Sequence, residues 1–186
     1  MYRSIFYFKD KLRNASKANL IGDFLNESKT IVDIGTGSGG LANYFIQQNF
    51  EVTAVDVLDK TVHKNITPIL YHGSHLPFET ESFDASMLIT VLHHCPNPEQ
   101  VLAEAVRVSK KKIVVLEDVY SSWLMKHLTW FMDSLVNWEF KGDPHSNKSE
   151  AQWEALFDAH NLKIKKKTKT NVLVIFTQVM YHLEKY

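Results

Sequence analysis

Short apolar segments alternate with amphipathic segments along the chain. Three of the apolar segments have the length and the β-branched content of buried strands, and they cover residues 30–35, 52–57 and 83–90. A fourth apolar segment, at 112–119, follows an amphipathic one. Strands that alternate with helices predict βαβ units, a parallel sheet and right-handed crossovers.

The amphipathic segments carry helix signals of their own. Residues 40–49 predict a helix between the first two strands, with three apolar side chains turned inward: Leu41, Phe45 and Ile46. A second helix is predicted to begin where Asn97 can cap it, Pro98 can take the first helical position, and Gln100 can complete a capping box. One face of this helix then carries apolar residues at helical spacing: Val101, Ala105 and Val108.

The pattern changes after Asp118. Residues 120–138 predict a long helix and residues 142–149 a loop, and one face of the helix carries aromatic side chains: Trp123, His127, Trp130 and Trp138. Such a face is typical of a buried core, and the alternative is the wall of a pocket for an apolar or ring-bearing ligand. Lys126 and Asp133 interrupt the segment and exclude a membrane span, while interfacial binding stays open.

The C-terminal region predicts one more helix and a hairpin. Ser149 and Gln152 offer a capping box for a helix that runs through His160. Two strands, at 162–170 and 172–183, follow as a hairpin appended to the sheet. The lysines of the first of these strands suit a solvent-facing edge.

A dense cluster of glycines follows the first strand and raises the question of a ligand. The glycines at 35, 37 and 40 satisfy the G-x-G-x-x-G pattern, and Asp56 lies about 20 residues on, as in a dinucleotide site. Those at 35, 37 and 39 also satisfy D-x-G-x-G-x-G, which starts at Asp33. A carboxylate at Asp33 would repel a pyrophosphate and favour a ligand with an ammonium or sulfonium group. Asp56 can accept hydrogen bonds from ribose hydroxyls with either kind of ligand.

The length and the net charge of the chain limit how many domains it can form and which partners it can bind. A chain of 186 residues suits one domain, here residues 1–186 with a helical insertion at about 120–148. The formal net charge is zero, which argues against a nucleic-acid binder. Two lysine-rich runs, at 110–112 and 163–169, contain no interleaved aromatic residues and are expected to be solvated.

The cysteine content and the hydropathy of the chain indicate the cellular compartment to expect. The single cysteine, Cys95, excludes an internal disulfide and fits a reducing environment. The N-terminal residues lack the apolar core and cleavage site of a secretory signal, and no apolar run has the roughly 20 residues that span a bilayer. We therefore expect a cytoplasmic protein without stable membrane insertion, and no feature indicates its oligomeric state.

Four quoted stretches carry a resemblance to a known family. They are "VDIGTGSGGLA", "VTAVDV", "LPFETESFDASMLITVLHHCPNPEQVLAEAVRV" and "KKIVVLEDV". Their order resembles that of class I S-adenosylmethionine-dependent methyltransferases, and most closely the branch of ubiquinone and menaquinone biosynthesis enzymes, over residues 28–120. The resemblance implies an α/β, Rossmann-like methyltransferase fold: a mostly parallel twisted sheet with helices on both faces and a C-terminal antiparallel hairpin. It also implies S-adenosylmethionine as cofactor and a small-molecule acceptor, for which the aromatic segment suggests an apolar or aromatic compound.

The same resemblance implies a set of cofactor-binding residues. Asp33 and the loop after it would hold the methionyl end, Asp56 the ribose, and Val57 and Leu58 the adenine. Where the family has an acidic residue after its third strand, this chain has His72, so Gly73, Ser74 or backbone groups are expected to replace it. The full implied set is Asp33, Gly35, Thr36, Gly37, Gly39, Asp56, Val57, Leu58, Gly73, Ser74 and Thr90.

Candidates for acceptor chemistry follow the strand at 83–90, at the sheet edge where open α/β sheets bind ligands. His93 and His94 are candidates to contact the acceptor or relay a proton, and the alternative is that they pack and cap the loop before Pro96. A metal site that adds Cys95 is disfavoured because no fourth ligand lies nearby in the sequence. Two acidic residues end the strand at 112–119, where they could orient an acceptor or meet a neighbouring helix: Glu117 and Asp118.

Two other functions stay open from the sequence. One is a nicotinamide-dependent oxidoreductase. Asp33 disfavours it, and so does the lack of a Tyr-x-x-x-Lys pair near the fourth or fifth strand. The Tyr-x-x-x-Lys spacing from Tyr181 to Lys185 lies at the C-terminus. The other is a catalytically silent cofactor-binding relative, suggested by His72 and by the absence of an obvious general base.

Overall fold

Seven strands form one sheet in the part of the chain that the structure describes. The structure is a computed structural model and describes residues 2–119, 148–172 and 176–186. The strands are β1 (Thr30–Ile34), β2 (Glu51–Asp56), β3 (Ile69–Leu70), β4 (Phe83–Ile89), β5 (Ser109–Val119), β6 (Leu162–Val172) and β7 (Phe176–Lys185). Their order across the sheet is β3-β2-β1-β4-β5-β7-β6.

The pairing of the strands confirms the predicted sheet. The first five strands pair in parallel, and β7 pairs antiparallel with both β5 and β6. Because β7 lies between β5 and β6, the lysine-rich β6 is the edge strand, as predicted. Two of its lysines, Lys167 and Lys169, pair with Glu150.

Within the described ranges, four α-helices accompany these strands: α1 (Tyr2–Leu25), α2 (Gly40–Gln47), α3 (Pro98–Val108) and α4 (Glu150–Ala159). The last three confirm predicted helices, whereas α1 was not predicted because it is only weakly amphipathic over its whole length and neither end carries a charge signal. The predicted helix at 120–138, with its aromatic face, and most of the loop at 142–149 lie outside the described residues. No helix within the described ranges combines the length and apolar character needed to cross a membrane.

Both predicted helix caps form, one of them differently from the prediction. Ser149 makes the full capping box of α4, because its hydroxyl accepts from the Gln152 amide at 3.3 Å and its own amide donates to the Gln152 side chain at 2.8 Å. Asn97 caps α3 by accepting from the Gln100 amide at 3.2 Å. The Gln100 side chain, however, accepts from the side chain of Asn97 and not from its backbone, so the second half of that box is absent.

Helices cover both faces of the sheet and divide the core into two layers. In β5 the side chains alternate: Ile113 and Val115 pack with α3 and α4, whereas Val114 and Leu116 pack with α1 and α2. A strand that is buried on both faces explains the continuous apolar run in the sequence. The arrangement leaves the ends of the strands as the place where polar residues can gather.

The strand order fixes where a ligand can enter. After β1 the chain crosses to β2 on one side, and β4 lies on the other side of β1. Loops that leave neighbouring parallel strands in opposite directions open a crevice at their carboxyl ends. By this rule we expect the crevice to lie between the loop after β1 and the turn after β4.

The cap of α3 yields a stability prediction, because α3 follows directly from the turn that borders the crevice. Replacing Asn97 with Ala removes the acceptor for the Gln100 amide and should lower the free energy of unfolding by about 1 kcal/mol. Asn97→Ser restores an N-cap acceptor and is the matched control. Urea unfolding curves of the three proteins measure the effect, and equal stability of the Ala and Ser variants would contradict it.

Candidate functional site

The loop after β1 is shaped by three glycines with positive φ angles: Gly35 at 73°, Gly37 at 55° and Gly39 at 75°. A Cβ at position 35 would lie 2.2 Å from Val91 Cγ2, so only glycine lets the turn after β4 pack against this loop. A Cβ at position 37 would meet nothing within 4 Å, which leaves open space beside the loop. The amides of Gly35 and Thr36 donate to the Val55 carbonyl at 2.9 and 3.1 Å and therefore hold the loop against β2.

Asp33 lies buried near the end of β1, beneath this loop. Its side chain is 3% exposed, and Oδ2 accepts a hydrogen bond from the Thr36 hydroxyl at 2.8 Å. Burial raises the pKa of Asp33 to about 6, and the nearby charge of Asp56 adds to the increase, while Thr36 and Lys17 oppose it. A carboxylate that is this poorly solvated would gain from a cationic ligand group placed against it.

Asp56 ends β2 and is already engaged with the glycine loop. Its Oδ2 accepts from the Gly37 amide at 2.9 Å, and its Oδ1 accepts from the amides of Val57 and Leu58 at 2.7 and 3.3 Å. A carboxylate offers about four acceptor positions, so these three bonds leave about one, on Oδ2. The Gly37 amide, which a dinucleotide loop would direct at phosphate, is bound here to a carboxylate.

Apolar surface adjoins Asp56. Val57 and Leu58 are 52% and 59% exposed, unusually open for such side chains at the end of a buried strand. Gly73 has a φ of 76°, and a Cβ there would lie 3.5 Å from Val57 Cγ1. The structure thus brings Gly73 next to Val57, while His72 and Ser74 are exposed beside it.

The segment between β2 and β3 folds back over the glycine loop, a contact that the sequence analysis missed. The Val62 amide donates to the Ser38 carbonyl at 3.0 Å, and Ile66 packs where a Cβ of residue 39 would be, 3.1 Å from Cγ2. The glycine at position 39 was the signal available in the sequence, but no sequence pattern indicates which residue packs against it.

The turn after β4 is strained and tied to β5. Thr90 has a φ of 58°, which is rare for a β-branched residue and tends to mark functional sites. Its amide donates to the Leu116 carbonyl at 2.7 Å. The next two amides, of Val91 and Leu92, donate to Glu117 Oε1 at 3.1 and 2.7 Å.

The two candidate histidines lie in the 3₁₀ turn Leu92–His94 that follows. His93 is 2% exposed, and its Nδ1 lies 2.5 Å from Glu117 Oε2. The His94 ring lies beside it, 4.0 Å from centroid to centroid, and is half-buried. Glu117 therefore binds the turn after β4, whereas the sequence left open that it orients an acceptor or meets a neighbouring helix. The role of Glu117 toward an acceptor and the catalytic role of the histidines both stay predictions.

The state of the Cys95 thiol bears on whether this turn could bind a metal ion. Burial raises the pKa of the Cys95 thiol to about 11, with the charges of Glu117 and Asp56 adding to it, so the group is a thiol at neutral pH. Its Sγ donates to the Val91 carbonyl at 3.3 Å. Among the residues with described positions, no group of three or more His, Cys, Asp or Glu side chains is arranged to hold a metal ion.

The Tyr-x-x-x-Lys spacing at the C-terminus does not form a catalytic pair. Tyr181 is fully buried in the core against Phe157. Lys185 binds Glu81 and the carbonyl of Ser109, both at 2.9 Å. Because Ser109 begins β5, Lys185 lies at the edge of the sheet opposite to the glycine loop.

Comparison with known sequences gives partial matches. Residues 32–115 match a family model described as a methyltransferase domain. The ubiquinone/menaquinone biosynthesis C-methyltransferase UbiE of Allorhizobium ampelinum is 28% identical over 135 residues, which are 63% of this chain and 50% of that protein. A demethylmenaquinone methyltransferase of Tropheryma whipplei is 30% identical over 98 residues, 47% of this chain and 41% of that protein. The chain spans about half the length of the curated relatives it matches.

Comparison with solved structures shows the fold. The magnesium protoporphyrin IX methyltransferase of Synechocystis, solved with bound SAH, superposes with a TM-score of 0.71 at 14% identity, covering 97% of this chain and 88% of that one. A SAM-dependent methyltransferase of Methanosarcina mazei superposes with a TM-score of 0.67 at 17% identity, covering 89% of this chain and 96% of that one. Both likenesses confirm the Rossmann-like methyltransferase fold that the sequence predicts.

The buried carboxylate yields a pH-dependent prediction. Because the folded-state pKa of Asp33 is raised to about 6, its contribution to stability is fully present below its unfolded pKa and is lost as the pH rises through 6. Asp33→Asn does not ionise, so its stability relative to wild type should increase by about 1–3 kcal/mol between pH 4 and pH 8. Urea unfolding at both pH values measures this, with the exposed Asp158→Asn as control. A difference that stays constant with pH would contradict the prediction.

Proposed function

We propose that the protein is a class I methyltransferase that transfers a methyl group from S-adenosylmethionine to a small-molecule acceptor, and the match of residues 32–115 to a methyltransferase domain is the premise. The observation that supports the proposal best is that carboxylates bracket the glycine loop. Asp33 lies beneath it, and Asp56 accepts the Gly37 amide at 2.9 Å. The charge of Asp33 disfavours a pyrophosphate, and the Gly37 amide that would meet phosphate is bound to Asp56, so the loop suits a nucleoside that carries positive charge and no phosphate.

We assign the cofactor contacts by residue. The open space beside Gly37 and the buried Asp33 suit the methionyl end of the cofactor, with Gly35, Thr36 and Gly39 shaping the loop. The remaining acceptor position on Asp56 Oδ2 suits a ribose hydroxyl. The exposed pair Val57 and Leu58 suits the adenine ring, and four residues border the same crevice: Gly73, Ser74, Thr90 and Val91.

Methyl transfer requires little of the protein beyond alignment of the donor with the acceptor. When bound, S-adenosylmethionine supplies a methyl group on a sulfonium, which is a strongly activated carbon. This chain's residues would hold the donor, align the acceptor and exclude water. A general base is needed only where the acceptor carries a proton at working pH, and His93 and His94 are the candidates for that role.

For the acceptor we propose a chemical class and not an individual compound. Two curated relatives bear names that refer to ubiquinone and menaquinone or to demethylmenaquinone, and the aromatic sequence at 120–138 follows the strand end that borders the crevice. Both features favour an apolar, ring-bearing acceptor. The oxidoreductase alternative is not favoured, because Tyr181 and Lys185 do not form a pair and the Gly37 amide is bound to Asp56.

The role of Asp56 gives a direct binding test. Asp56→Asn retains the size of the side chain but replaces one acceptor oxygen by a donor, so it should lose the charge-assisted bond to ribose and weaken binding of S-adenosylhomocysteine by about 1.5–3 kcal/mol, tenfold to over a hundredfold. Isothermal titration calorimetry measures the loss.

The matched control lies on the same strand. Glu51→Gln changes an exposed carboxylate at the opposite end of β2 and should leave the affinity unchanged. Equal affinities of wild type and Asp56→Asn would show that the ribose is held elsewhere, and no binding to wild type would reject the proposed cofactor.

A further inference from the structure

Glu117 lies at the end of β5 and is fully buried, yet neither the sequence resemblance nor the cofactor assignment gives it a task. A buried carboxylate is costly unless hydrogen bonds compensate it. Here one oxygen, Oε1, accepts the amides of Val91 and Leu92, and the other, Oε2, lies 2.5 Å from His93 Nδ1. The two oxygens therefore serve two different structural elements.

The first oxygen holds the turn that packs on the glycine loop. Three successive amides of the turn, those of Thr90, Val91 and Leu92, donate to the end of β5, and two of the three depend on the Glu117 side chain. The side chain of Val91 then fills the space where a Cβ of Gly35 would be. A continuous series of contacts thus runs from β5 through the turn to the loop proposed to hold the donor.

The turn needs this support because its backbone is strained. Thr90 has a φ of 58°, and strained backbone persists only where the surroundings hold it in place. Without Glu117, the Val91 and Leu92 amides would lose their acceptor, and of these three hydrogen bonds the one from the Thr90 amide to Leu116 would remain. We therefore expect the backbone of the turn to relax and the Val91 side chain to lose its contact with Gly35.

The second oxygen sets the proton position on His93. A carboxylate only accepts hydrogen bonds, so we assign the proton of this contact to His93 Nδ1, as the donor to Glu117 Oε2. In the neutral ring Nε2 is then the basic nitrogen. A proton acceptor of this kind is what methylation of a protonated hydroxyl or an acidic C–H group would use.

We propose that Glu117 is a positioning residue of this methyltransferase, which shapes the donor site through the Thr90–Leu92 turn and fixes His93 as its Nδ1–H form. The proposal rests on the proposed function. It predicts that the two tasks can be separated, because Gln at position 117 can still accept the two amides but presents a donor to His93.

The test compares three proteins by calorimetry with S-adenosylhomocysteine. Glu117→Gln should bind within about threefold of wild type, because its amide oxygen keeps the turn in place. Glu117→Ala should bind at least about tenfold more weakly. Val108→Ala, a core change on α3 away from the turn, controls for general loss of stability and should keep the wild-type affinity. Equal affinity of wild type and Glu117→Ala would overturn the proposal, as would equally weak binding by the Gln and Ala variants.

A second measurement addresses His93 and needs no acceptor. Long-range ¹H–¹⁵N correlation spectra report which ring nitrogens are protonated, and the signals of His93 are assigned by their loss in His93→Gln. Wild type should show a proton on Nδ1, and Glu117→Gln should shift the ring to the Nε2–H form. A neutral Nε2–H ring in wild type would overturn the proposal. Failure of the wild type to bind S-adenosylhomocysteine, by contrast, would reject the proposed function and is a separate outcome.

Discussion

The burial of Asp33 beneath the glycine loop is the constraint on which this site depends. Its carboxylate is 3% exposed and has the hydroxyl of Thr36 as a close hydrogen-bond donor, so ionisation there works against folding, and its pKa rises to about 6. An uncharged side chain of the same shape would suit the fold better. A residue that lowers stability at a strand end fits a function in binding, where a cationic group on the ligand would compensate the charge.

A second set of contacts joins the two sides of the crevice. Gly35 belongs to the loop after β1, Val91 to the turn after β4, and Glu117 to β5, and each touches the next. Because β1, β4 and β5 are neighbours in the sheet, the turn after β4 packs directly on the loop that we propose holds the donor. These contacts would provide a physical route from the proposed acceptor side of the site to the proposed donor side.

The sequence predicts those parts of the fold that arise from local patterns. The strands, α2, α3 and α4 follow from apolar periodicity and caps, and the terminal hairpin from its length and lysines. The helix α1 and the two-residue strand β3 leave no clear pattern, because α1 is only weakly amphipathic over its whole length and β3 is too short. At the site, Asp33, Asp56 and the glycines are apparent from spacing. The partners of Gly35, Gly39 and Glu117 come from distant segments, so tertiary packing determines them and spacing cannot.

The central claim is that the acidic glycine loop selects a nucleoside that bears an ammonium group and no phosphate over a dinucleotide. Calorimetric titration of the wild-type protein at pH 8 with S-adenosylhomocysteine, NAD and NADP tests it most directly. We predict micromolar binding of S-adenosylhomocysteine and no saturation by either dinucleotide up to about 1 mM. Saturable binding of NAD or NADP, with S-adenosylhomocysteine bound more weakly or not at all, would contradict the account.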